Sequence, residues 1–211
     1  EIFKKYRFVG FWFYGFTSIA LGILMTPFIT LWIGKKMVVD AVVVNLLVLD
    51  YYMIGQRICL NNMKSAAGVF EPDKYIALIQ AIVNLVSSIW LVKLIGLPGV
   101  YLGTIIQGST SSIFKPILSY KILFNTSSKY YFMDSIKYGG TTLFAYSICV
   151  RIAQTLLKQI TVTNFVLLAI AVMIIPNLIF GLFFCKSKEF QFFINLVKVR
   201  RNNKEMRKNE E

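Results

Sequence analysis

Histidine is absent from the 211 residues, so the commonest general base and zinc ligand is missing. Cysteine is scarce and odd in number. Cys59, Cys149 and Cys185 stand in or beside apolar segments without metal-ligand spacing, a pattern that points to packed thiols and away from a disulfide framework. Acidic residues number 10 against 23 Lys and Arg. Walker-type loops, Gly-x-Ser-x-Gly elbows, paired carboxylates and HExxH motifs are all missing. These absences weigh against an enzyme and imply no cofactor and no metal. The chain opens on Glu1 with no positively charged leader and cleavage site, which predicts a partial chain and no signal peptide.

Charge is also scarce overall, at 16% of residues, while 56% are apolar and mean hydropathy is +0.63. That composition excludes an ordinary soluble domain and selects the membrane class. The formal net charge of +13 does not read as a nucleic-acid surface, because the basic residues sit in short segments between apolar runs and in the tail. Their natural partner is an anionic lipid leaflet.

A spanning helix needs about 20 predominantly apolar residues, and six stretches approach that. They are Phe8–Ile33, Val38–Leu60, Tyr75–Ile95, Val100–Phe124, Tyr138–Leu157 and Asn164–Cys185. The fold class is therefore an all-α integral membrane protein with six transmembrane helices. Residues 1–185 form the membrane region and residues 186–211 a basic tail. Pro27, Pro116 and Pro176 fall inside spans, where neighbouring helices can satisfy freed backbone groups. Seventeen Lys and Arg lie on one side of this arrangement and only Lys35, Lys36, Lys93 and Lys158 on the other; Lys115 and Arg151 fall within spans. The bias places both termini on the cytoplasmic side of a multi-pass cell-membrane protein with very short outer loops. In the tail, Phe190, Phe193, Ile194 and Val197 share one helical face ahead of a mixed-charge run, Arg200–Glu211.

Polar residues inside spans are costly unless they face a partner or a wet cavity, so their spacing marks interior faces. The third span carries Gln80, Asn84, Ser87 and Ser88 at i, i+4, i+7 and i+8. The fourth carries Thr104, Gln107, Ser111, Lys115 and Ser119, and the fifth Ser147, Arg151, Gln154 and Lys158. The second places Asp50 and Arg57 two turns apart on one face, roughly 10 Å along the axis. A bundle around a hydrated interior accounts for the stripes, and so does interhelical hydrogen bonding worth about 0.6 kcal/mol per contact. Lys115 and Arg151, the deepest cations, are the candidates to meet a negatively charged ligand; snorkelling and pairing with Asp50 are the alternatives.

The stretch Gln56–Gly108 resembles the polysaccharide-transporter branch of the multidrug/oligosaccharidyl-lipid/polysaccharide (MOP) flippase superfamily, the Wzx-like O-antigen and capsule repeat-unit flippases. The resembling residues are the Arg57 turn; Ala67-Gly68-Val69-Phe70 followed by Asp73-Lys74-Tyr75; Ala81-Ile82-Val83-Asn84-Leu85; Leu91-Val92-Lys93 with Gly96 and Gly99-Val100; Gly103-Thr104; and Lys115-Pro116 with Tyr120. Phe28-Ile29 and Leu31-Trp32-Ile33-Gly34 resemble the family's helix end upstream. The resemblance covers about residues 3–135. Gln80 stands where the family pattern has an acidic residue, and Gln107 where it has a small Ser.

The resemblance implies two pseudo-symmetric six-helix lobes. This chain then holds part of the C-terminal lobe plus a terminal helix pair, with the N-terminal lobe of the same protein as its missing partner. The implied substrate is a polyprenyl-pyrophosphate-linked oligosaccharide, moved across the cytoplasmic membrane by ion-coupled alternating access for surface polysaccharide biosynthesis. Lys115, Arg151, Arg57, Gln80, Asn84 and Gln107 are the candidate substrate contacts, and Asp50 the candidate coupling carboxylate. A half-cavity has nothing to rock against, so the piece alone is expected to be inactive. The alternatives are a drug or metabolite antiporter of the same superfamily, a non-transporting membrane assembly protein, and a glycan polymerase or ligase. The last normally needs a substantial outer loop.

Overall fold

The computed structural model describes residues 2–69 and 71–197. Phe70 and the mixed-charge run Arg200–Glu211 lie outside the described residues. Six long helices follow in order: α1 Ile2–Trp32, α2 Ala41–Ala66, α3 Glu71–Ile95, α4 Leu97–Ser119, α5 Lys129–Leu156 and α6 Val162–Phe184. A 3-10 turn at Lys35–Met37 and a π turn at Tyr120–Phe124 join them, and residues 188–197 are helical again. Strands are absent among the described residues.

The sequence terminates these helices by local chemistry. Asp40 caps α2 by accepting from the Val42 amide at 2.7 Å, and the Thr161 hydroxyl caps α6 by accepting from the Asn164 amide at 3.2 Å. Gly96, at φ +70°, makes the whole turn between α3 and α4, and Pro98 sits in the first turn of α4, where its missing N–H costs nothing. Asn125, at φ +47°, closes the π turn that follows Pro116.

Among the described residues, four helices are long and apolar enough to cross a membrane: Ile2–Trp32, Ala41–Ala66, Lys74–Ile95 and Val162–Phe184. The fourth and fifth stretches expected to span have the length but are more polar. In α4 the run Gln107-Gly108-Ser109-Thr110-Ser111-Ser112 dilutes the apolar residues, and in α5 Gly139-Gly140-Thr141-Thr142, Arg151 and Gln154 do the same. Several helices also run past the expected ends. Lys4, Lys5 and Arg7 are helical in α1, and α2 continues through Lys64, because an amphipathic end satisfies its backbone in water as well as in lipid.

Packing centres on α1, which contacts α2, α5 and α6, while α4 contacts α2 and carries α3. The main core lies among α1, α5 and α6, where the Phe11 ring stacks on Tyr138 at 4.2 Å and meets Phe180 at 5.0 Å. Phe190 stacks on Trp12 at 5.7 Å and Phe193 on Phe8 at 6.5 Å, so the expected apolar face of the tail is used in part; Ile194 and Val197 remain exposed. A smaller cluster of Phe3, Cys59, Leu60 and Tyr131 ties α1, α2 and α5 together at the basic end. Helix α3 is almost bare, with only 6% of its apolar window buried and Leu78, Ile82, Leu85 and Val86 all exposed. A surface of that kind is stable in hydrocarbon and a liability in water.

Candidate functional site

Arg57 stands on an uninterrupted stretch of α2, whose one flexible residue, Gly55, is taken up by the helix crossing: a Cβ there would sit 2.1 Å from the Tyr14 ring of α1. The arginine is buried, 7% exposed. Its Nε donates to the Met53 carbonyl at 3.1 Å and its Nη1 to the Gly108 carbonyl of α4 at 2.9 Å. Around the missing Cβ of Gly108 stand the Asp50 Oδ1 at 3.6 Å and the Arg57 Nη2 at 3.7 Å. Asp50 and Arg57 thus meet across Gly108. Arg57, expected as a substrate or gate contact, is a clamp between α2 and α4.

The stripes of α3 and α4 close on one another. The Gln107 side-chain amide donates to the Gln80 Oε1 at 2.8 Å. One turn on, Ser88 donates to the Asn84 Oδ1 at 3.1 Å and lies 3.4 Å from the Val100 carbonyl, and Ser87 lies 3.5 Å from the Gly103 carbonyl. Gly99 and Gly103, four residues apart, let the helices touch: a Cβ at Gly103 would fall 2.1 Å from the Ser88 Oγ and 2.8 Å from its amide nitrogen. Gln80 and Gln107 are therefore brought together across an interhelical seam, and Asn84 bonds Ser88 within α3 beside it. We expect Gln80→Leu and Gln107→Leu to show a coupling of about 0.6 kcal/mol in a double-mutant cycle of detergent unfolding. The double variant should lose less stability than the two singles predict, since replacing both partners leaves no buried amide stranded.

Lys115 and Arg151 are not brought together. The contacts Arg57 to Gly108 and Tyr146 to Asn45, the latter a 2.9 Å hydrogen bond between α5 and α2, fix the register of the bundle. In that register Lys115 lies near the basic end and Arg151 near the opposite end, roughly 35 Å apart along the axis. One pyrophosphate cannot touch both. Lys115 is half-buried on α4, whereas Ser147, Arg151 and Gln154 are exposed on α5 and Lys158 lies exposed in the turn beyond the helix end.

Sequence reasoning missed Arg7. Only 3% exposed, it donates through Nη2 to the Tyr131 carbonyl at 2.8 Å and to the Ser135 hydroxyl at 2.6 Å. Its guanidinium lies 3.7 Å from the Tyr131 ring centroid and 3.7 Å from the Asp134 carboxylate. The signal was its register with Phe3 and Phe11, four residues either side, which puts it on the buried face of α1 once the helix reaches back to Ile2. Two further cavities, about 340 and 320 Å³, flank the Tyr146–Asn45 contact between α2 and α5. Among the described residues no group of three or more His, Cys, Asp or Glu side chains comes together.

No protein-family profile, curated protein or solved structure matches the chain.

Proposed function

We propose that this chain is the C-terminal portion of a flippase that carries polyprenyl-pyrophosphate-linked oligosaccharides across the cell membrane, with six crossing helices and both ends of the chain cytoplasmic. The observation that carries the reading is the exposed polar face of α5. Ser147, Arg151 and Gln154, with Lys158 in the turn just past the helix end, look outward from a bundle whose other surfaces are strongly apolar. In a bilayer such a stripe needs water or a second protein surface. One lobe of a two-lobe carrier meets that condition, because the stripe then lines the hydrated cleft between the lobes.

The separation of the two cations gives them successive roles. Lys115, near the basic end, receives the pyrophosphate at the cytoplasmic mouth, and Arg151 receives it at the outer mouth after the lobes rock. Each acts as a point of charge neutralisation for a group that cannot enter hydrocarbon unaided. The Arg57 clamp keeps α2 and α4 moving as one body, and Asp50 beside it is the carboxylate placed to take up a coupling ion.

Deleting the full-length gene and measuring lipid extracts tests the reading. Complete lipid-linked repeat units should accumulate while surface polysaccharide disappears. Re-expression with Lys115→Gln or Arg151→Gln should restore the surface glycan only in part, and the double variant should be worse than either. Unchanged lipid and glycan pools in a strain without a redundant transporter would sink the flippase and favour an antiporter.

A further inference from the structure

Helix α1 presents an apolar groove that the transport reading does not use. Val9, Trp12, Phe13 and Phe16 line one wall and Phe190 and Phe193 the other, around a cavity of about 390 Å³ with no polar lining. Directly below it at the basic end is a second cavity of about 220 Å³, lined by Lys4, Lys5, Lys188 and Glu189. The two are continuous by helical register: Lys5, Val9, Trp12, Phe13 and Phe16 follow one another at i, i+4, i+7, i+8 and i+11 on one face of α1. The Lys5 ammonium lies 3.6 Å from the Phe192 ring centroid, which fixes its side chain at the groove's lower lip.

From this geometry we infer that the cleft between α1 and residues 188–197 binds one anionic phospholipid, with an acyl chain along the aromatic groove and the phosphate at Lys4, Lys5 and Lys188. Dimension and charge both select that occupant. Lys5 to Phe16 spans roughly 16 Å along the helix, the depth of one leaflet's hydrocarbon. Three ammonium groups against the single carboxylate of Glu189 leave a net positive mouth where a headgroup phosphate sits. The neighbouring Arg7 is engaged by Tyr131, Ser135 and Asp134, so the site's charge comes from the lysines. The two tail phenylalanines form half of the groove, so lipid occupancy holds the tail helix against α1.

Trp12 reports on the groove from inside it. The chain has three tryptophans, so Trp32→Phe with Trp90→Phe leaves Trp12 as the sole tryptophan, excited selectively over tyrosine. In phosphatidylcholine vesicles, brominated phosphatidylglycerol should quench Trp12 half-maximally at about a tenfold lower mole fraction than brominated phosphatidylcholine. The preference should vanish when Lys4, Lys5 and Lys188 are changed together to Gln. Equal quenching by the two lipids, quenching by neither, or a preference that survives the triple change each overturns the proposal. Displacement of the quencher by polyprenyl phosphate but not by unbrominated phosphatidylglycerol would assign the groove to an isoprenoid carrier and overturn it as well.

Discussion

Arg7→Met should lower the stability of the bundle by about 3 kcal/mol in detergent, read as earlier loss of the near-ultraviolet aromatic signal on unfolding. The loss comes from several contacts at one buried guanidinium. Its Nη2 bridges the Tyr131 carbonyl and the Ser135 hydroxyl, and its plane covers the Tyr131 ring. Methionine fills the volume but leaves Tyr131 without the cation on its ring and removes the one side chain that, among the described residues, joins the start of α1 to the start of α5 through charge-assisted hydrogen bonds. Lysine should rescue little, because an ammonium cannot present a planar fork to the carbonyl and the hydroxyl while lying flat on an aromatic face. Asp134→Asn should cost less than about 1 kcal/mol, since the carboxylate is 34% exposed, stands 3.7 Å away and can be rehydrated. Equal losses from Arg7→Met and Asp134→Asn would mean that the ion pair, and not the fork, holds this end.

Gly103→Val is the second large effect, expected at about 2–3 kcal/mol or more. A Cβ at this position meets the Ser88 Oγ at 2.1 Å, its nitrogen at 2.8 Å and its Cα at 2.9 Å, so two of the three obstacles are backbone and cannot rotate away. The whole of α3 must lift. Because α3 packs on α4 and on little else, amide exchange should accelerate over residues 84–95 and stay unchanged in α1, α5 and α6. A second change, Ser88→Gly, removes only the hydroxyl clash, so it should restore Gly103→Ala in part and Gly103→Val hardly at all. Uniform acceleration across the chain would show that the α3–α4 seam is not a separate unit.

The all-helical character and the four most apolar spans were legible because apolar runs of that length have few alternatives. Helix ends were not. Apolar runs locate hydrocarbon, and Lys4, Lys5, Arg7 and residues 61–66 belong to helices that continue beyond it. That error hid Arg7, whose burial depends on α1 beginning at Ile2. The spacing of the polar stripes marked shared faces, but it cannot say which helix a face meets, and Ser147, Arg151 and Gln154, expected to face the interior, are exposed. The Gln80 stripe met that of Gln107 and became a seam, while Ser147 and Arg151 are exposed and Gln154 lines a cavity with Asn45 and Tyr146. The Gly99 and Gly103 spacing, small residues four apart on a membrane helix, was the visible sign that α4 would be approached closely. The partnership of Arg57 with Gly108 had no sequence signal, since the acceptor is a backbone carbonyl.

The one-residue connection at Gly96 and the near-solitary pairing of α3 with α4 have a consequence for biogenesis. Within this chain, α1 and α2 offer an emerging α3 almost no surface. Its partner in this chain is α4, so the two are expected to enter the bilayer together as a hairpin closed at Gly99 and Gly103. Helix α4 is the more polar member, so its entry into the lipid is assisted by an apolar sister that has arrived first. The order of synthesis is in this sense part of the structure: with α4 ahead of α3, a helix rich in Ser, Thr and Gln would face the bilayer unaccompanied.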